Sequence, residues 1–352
     1  MGGQYLSSDV LPKKGKYGTL NRVGESALTG ILIREREGEA MREMKRFEQV
    51  NWVFLVTVLF YIGASMALSG WLAQTENLVL RLGVSQLILA IPTMGYLCMS
   101  GTPIREGIRF KPLKFSRILW IVLLAELLLP LVMFVNSLSM LFTENVVANN
   151  MGDLANLPLA AGLMMAAAIP AFLEESIYRG LFYNEYRKTG IWRGIILSSL
   201  LFALMHLNLN QFCYAFVMAL IFGIVLEVTD SILSVMIIHF WINASSVLTI
   251  HLDKMSQLIY GTESVEAVAD ITLKEVYQLG SVAIIPTALA ALVLFKLAKL
   301  ENRTHIWGEL FPRKADRKKE EKSRLFTLPL IAGILICLGY MIMYEISLRG
   351  VQ

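Results

Sequence analysis

The chain has 352 residues, 55% of them hydrophobic and only 17% charged, and its mean hydropathy is +0.57. A soluble domain carries about 25% charged residues, so this composition belongs to a bilayer protein and excludes a larger soluble core. The net charge of +4 comes from Lys and Arg set between apolar runs, where orientation signals belong; no nucleic-acid partner is expected.

Apolar runs able to span a bilayer lie at 51–73, 82–100, 117–143, 158–183, 191–209, 211–229, 231–250, 278–299 and 326–347. A spanning helix needs about 20 mostly apolar residues. The fold class is therefore all-α, a polytopic transmembrane helical bundle of about nine spanning helices. Eight is the alternative, because the turns inside 191–250 are very short. The chain divides into a polar or amphipathic cytoplasmic segment 1–50, N-terminal transmembrane helices over 51–143, a core at 158–250, and C-terminal transmembrane helices over 278–347 that enclose a charged cytoplasmic loop, 299–325. Residues 24–48 read either as a basic amphipathic helix on the membrane surface or as a solvated tail.

Loop charges set the orientation. Residues 1–50 hold nine Lys or Arg, the loop 144–157 holds none, the turn at 184–193 has Arg187, Lys188 and Arg193, and residues 299–324 hold nine. Basic and non-basic loops alternate as nine spans require, with a cytoplasmic N-terminus and an external C-terminus, as in a bacterial plasma membrane. No apolar stretch near Met1 suggests a cleaved signal peptide. Cys98, Cys213 and Cys337 all fall in apolar segments without a CxxC pair, so neither a zinc knuckle nor a disulfide framework is expected.

The informative residues are those a bilayer should exclude. The fourth run contains Glu174, Glu175 and Arg179. One charge at the centre of a spanning helix costs on the order of 3 kcal/mol, so such groups persist when paired or when they line a wet cavity. Glu175 and Arg179 are four apart, share a helix face and can pair. Glu174 points about 100° away and needs a partner from another helix, which suits a general base acting on water.

Two of the four histidines lie in spans. His206 closes the stretch Phe202-Ala203-Leu204-Met205-His206 in the fifth run, and His239 shares a face with Asn243, four residues on, so the two can address one substrate oxygen. His251 and His305 receive no role. Glu174 lies 16 residues before Gly190 and His206 lies 16 after it, so in a straight hairpin both stand about 24 Å from the turn. His239 fits less well, about 14 Å from the turn at Asp230. The polar run Asn208-Leu209-Asn210-Gln211 belongs either outside the membrane or in a water-filled cavity. Taken singly, a buried histidine is usually a packing residue and an intrahelical Glu–Arg pair can be a strut. Two carboxylates, two histidines and an amide within about 70 residues are much harder to obtain by accident.

Glu174-Glu175-x-x-x-Arg179, Phe202-x-x-x-His206 and His239-x-x-x-Asn243, with Phe216 through Gly223 to Ser231 between the last two, resemble the motifs of the CPBP family. That Abi-like family comprises type II CAAX prenyl endopeptidases and related bacteriocin-processing or immunity proteins. The resemblance covers roughly 158–250, which it marks as the catalytic core. It implies an intramembrane endopeptidase in which Glu174 and His206 activate water, His239 and Asn243 stabilise the oxyanion, and Glu175 and Arg179 support them. The implied partners are the lipid bilayer and a peptide or lipidated protein substrate. No cofactor is expected, since HExxH is absent; zinc held by Glu174, His206 and His239 stays as the alternative. Two other functions stay open. A proton-coupled secondary transporter would use the same intramembrane Glu and His, although no internal repeat is visible. A non-catalytic membrane scaffold or immunity protein is the other.

Overall fold

The computed structural model describes residues 22–75, 77–100, 108–145, 153–260, 271–311 and 325–350. The segments 1–21 and 312–324, with part of the polar N-terminal region and most of the charged loop, lie outside the described residues. So do the side chains of 22–45, on which an amphipathic face would depend. The chain divides into two units after Arg46. The first contributes a helical backbone from Arg22 onward, and the second holds everything that follows.

The described residues are helical, without a strand. The helices are α1 (Arg22–Ala73), α2 (Leu78–Ser100), α3 (Phe115–Met140), a composite rod α4 (Leu159–Thr189), α5 (Ile191–Leu204), α6 (Leu209–Thr229), α7 (Ile232–Tyr260), α8 (Leu273–Leu300), the short α9 (Ile306–Leu310) and α10 (Leu328–Gly350). Local chemistry sets several boundaries. Thr272 and Glu275 close a capping box at the start of α8, and the Asn208 side chain accepts from Gln211 N at the start of α6. Asp230 ends α6 in a left-handed conformation, and Gly190, at φ 142°, makes the turn between α4 and α5 that a side chain would resist.

Eight helices among the described residues are long and apolar enough to cross a membrane, and this is an integral membrane helical bundle. The fifth apolar run is also helical, but α5 has only 14 residues, about 21 Å, against a hydrocarbon core of about 30 Å. The side of each loop is legible from the contacts. Lys111 pairs with Asp230, Arg117 with Glu301, Arg187 with Glu227, and Trp192 donates to Leu310 O, so the loops rich in Lys and Arg meet at one end. Asn51, on α1, donates to Leu325 O and Thr327 Oγ1 just before α10. At the other end Arg81 pairs with Asp153, Lys254 donates to Asn156 Oδ1, and Arg349 donates to Phe142 O. From Asn51 to Arg349 the chain therefore passes from one end to the other an odd number of times. The short α5 and the bend at 205–208 make the passage that an eight-helix count omits.

Two apolar cores hold the bundle. One joins α1, α4, α5 and α10; the other joins α3, α6, α7 and α8. Packing of α5 on α6 is close enough that a Cβ on Gly223 would lie 2.9 Å from Ile195 Cγ1. A run of rings, Phe54, Phe182, Tyr178 and Phe202, leads from α1 through α4 to α5 with centroids 5.2–6.2 Å apart.

Candidate active site

Helix α4 is not a regular α-helix. Met164–Ala168 and Ser176–Tyr183 are π-helical and flank the α-helical Ile169–Glu175. A π-helix packs more residues per turn and so has a shorter rise. It recurs at functional sites because it re-aims side chains. The second π segment lies between Glu175 and the Gly190 turn, so Glu175 sits nearer that turn than an α-helical rise allows. This offsets part of the depth mismatch expected for His239, whose ring reaches the glutamate pair.

The first feature is a buried chain of three groups. Arg179 Nη1 lies 3.1 Å from Glu175 Oε1, and His239 Nδ1 lies 2.8 Å from the same oxygen. Glu175 and Arg179 are 0% and 1% exposed, so both charges are held by their partners rather than by solvent. Arg179 also donates through Nη2 to Ala219 O, and its guanidinium lies 4.7 Å from the Phe202 ring centroid and 5.2 Å from that of Phe222. Because a carboxylate only accepts, the His239 proton at this contact is on Nδ1. Nε2 then faces the other glutamate, 3.8 Å from Glu174 Oε2.

The group from another helix that meets Glu174 is thus His239, at a separation beyond hydrogen-bond distance. His206 Nδ1 donates to Phe202 O at 3.0 Å, which leaves its Nε2 as the ring nitrogen without that bond. The Phe202 ring is central: it meets His206 at 5.0 Å, His239 at 6.0 Å and Arg179 on its face. Asn243 donates through Nδ2 to Ala166 O at 3.2 Å. That carbonyl lies in the π-helical segment Met164–Ala168, so Asn243 ties α7 to this part of α4. Its second N–H is not used in this bond.

Glu174, His206, His239 and Asn243 all line one cavity of about 290 Å³. A second cavity of about 150 Å³ adjoins it and is lined by Tyr61, Ser85 and Tyr178 among others. Gln86, Glu174, Phe202, His206 and Gln211 line both. The six residues singled out from sequence therefore fall into one cavity and the ion-pair chain behind it.

The sequence reading missed Gln86 on α2 and the role of Gln211. An amide in an apolar run was the available signal for Gln86. For Gln211 it was the polar run 208–211, which caps α6 and turns Gln211 into the cavity. It also missed Glu227, fully buried near the basic end, where Arg109, Arg187 and Tyr183 all donate to Oε1 at 2.6–2.8 Å. Glu227 looked like one charge at a span end, with partners from three distant segments.

Among the described residues no three His, Cys, Asp or Glu side chains are grouped to hold a metal ion. Zinc needs donors at about 2.0–2.2 Å. Here Nδ1 of His206 and of His239 is already hydrogen-bonded, which leaves Nε2 of each ring, with Glu174, as the groups that would hold such an ion. No step below is routed through a metal.

Bundle and cavity together define a polytopic membrane protein with carboxylate, imidazole and amide groups brought to one pocket. Residues 156–245, about a quarter of the chain, match the family model described as type II CAAX prenyl endopeptidase Rce1-like. This stretch is similar to that family, in line with the motif resemblance, and the match supports a CAAX-type endopeptidase. Comparison with curated proteins and with solved structures gives no match.

Proposed function

We propose that the protein is an intramembrane endopeptidase that hydrolyses a peptide bond of a membrane-associated or lipidated peptide with glutamate-activated water. The observation that carries this reading is the convergence of Glu174, His206, His239 and Asn243 on one cavity. Glu174 takes a proton from water as the oxygen bonds to the carbonyl carbon, and His206 Nε2 orients that water. The carbonyl π electrons move to oxygen, and the oxyanion meets His239 Nε2 and the free N–H of Asn243. Glu174 then returns the proton to the leaving nitrogen as the C–N bond breaks. For its part His239 must carry both ring protons, and Glu175 on its Nδ1 side balances that charge while fixing the ring.

Lys and Arg at one bundle end support a cytoplasmic location for that end. The start of α6 lies toward the opposite end: Asn210, beside Gln211, bonds Ser139 near the end of α3 that leads to the opposite face.

A transporter would use the same charges for a proton relay, so the deciding experiment is cleavage. Purified wild type in liposomes is expected to cleave members of a panel of membrane-anchored reporter peptides. Glu174→Gln and His206→Ala are each expected to lower the rate by about 10²–10⁴-fold, the usual worth of a positioned acid or base. Cleavage that survives both substitutions overturns the assignment.

A further inference from the structure

We infer that Gln86, on α2, is a substrate-binding residue whose side-chain oxygen accepts a backbone N–H of the bound peptide beside the scissile bond. This rests on the peptidase reading above and assigns a residue outside the matched segment 156–245.

Three observations carry it. Gln86 Oε1 is buried without a hydrogen-bond partner. An amide oxygen left in that state is costly, and such a group calls for an acceptor role toward something that arrives. Next, Gln86 stands where the two cavities meet, with Leu82 on the larger side and Ser85 and Leu89 on the smaller. Those positions are four, one and three residues away, so one face of α2 spans the junction and Gln86 is its centre. Glu174 and His206 line the same junction, so a chain passing between the cavities crosses Gln86 as it crosses the proposed base. Finally, Gln211, the other amide at the junction, is already committed. Its Oε1 accepts from Asn208 Nδ2 and its Nε2 donates to Tyr214 Oη.

The chemistry of the occupant follows. A lipid chain has no donor for Gln86 Oε1. An extended peptide presents an N–H on either side of each carbonyl, and the oxyanion donors assigned above serve only the carbonyl. A neighbouring N–H therefore needs an acceptor, and Gln86 offers it. The two cavities would take side chains on opposite sides of the cut: small or polar beside Ser85 and Tyr61, apolar beside Met165, Met218 and Phe222.

The test uses the purified full chain, a peptide that it cleaves, and ester analogues of that peptide. In each analogue one backbone N–H within three residues of the cut is replaced by oxygen, and the scissile amide stays intact. Wild type is expected to lose about tenfold in kcat/KM on one analogue, the scale of one hydrogen bond to a buried group. Gln86→Leu should lose about tenfold on the parent peptide and nothing further on that analogue, where it should equal wild type; that equality also shows the variant is folded. Gln86→Glu keeps an acceptor in place and should keep the discrimination. The inference is overturned if Gln86→Leu cleaves the parent as wild type does, if it discriminates among the analogues as wild type does, or if both variants fail on every substrate alike. If wild type cleaves no peptide, the peptidase reading fails first and this inference falls with it.

Discussion

His239 Nδ1 lies 2.8 Å from Glu175 Oε1, and the same oxygen is 3.1 Å from Arg179 Nη1. One buried carboxylate oxygen therefore orients an imidazole and compensates a guanidinium. The adjacent residue, Glu174, is turned into the cavity. Two consecutive glutamates thus acquire different surroundings from the helix turn alone, one dry and paired, the other lining open space.

Breaking the dry pair should be a stability event first. Arg179→Met leaves Glu175 buried without its cation and should cost about 3–5 kcal/mol, the usual penalty for orphaning a buried ion. Thermal unfolding in detergent checks this. The double variant Glu175→Gln/Arg179→Met should recover part of the loss. A double variant as unstable as the sum of the two singles would show that the pair is not coupled.

Asn243 is expected to have two jobs, one of them structural. Asn243→Ala removes a donor to the proposed oxyanion and should lower kcat by about 10²–10³-fold. It also strips Ala166 O of its donor. Losing that bond should cost about 1 kcal/mol of stability, read by thermal unfolding in detergent. A fall in kcat with no change in stability would show that the bond to Ala166 O carries no structural weight.

Glu227 should behave as a purely structural clamp. It is buried and receives Arg109, Arg187 and Tyr183, while Arg303 donates to its main-chain oxygen. Glu227→Ala leaves the facing guanidinium groups without their carboxylate and should cost about 3–5 kcal/mol. The surviving folded fraction should retain its cleavage rate per molecule, because the clamp lies at the basic end of α6, far along that helix from Gln211. A loss of rate without a loss of stability would contradict this division.

Chelation separates the two kinds of hydrolase. Activity is expected to survive prolonged treatment with a strong zinc chelator, and the active protein should contain well under one metal ion per chain. Loss of activity on chelation, restored by zinc, would overturn the glutamate-water mechanism.

The sequence by itself determined the class and most of the site. Hydropathy fixes where helices lie, because a bilayer demands about 20 apolar residues per crossing and expels charges that have no purpose. The separation of Glu174 from Glu175 follows from the helical period, and the i, i+4 spacing gave the Glu175–Arg179 pair. Tertiary structure alone decided three things. It showed that the fifth run is a short helix whose passage is completed by a bend, because hydropathy counts apolar residues and does not see where a helix stops. It tied His239 to Glu175 and Glu174, because π-helical turns change rise and aim without any change in apolar pattern. It also brought Gln86 to the junction, because a cavity is made by side chains from helices far apart in sequence. The two glutamates, two histidines and one amide were legible because each was costly where it stood; what each touches was set by the packing of five helices.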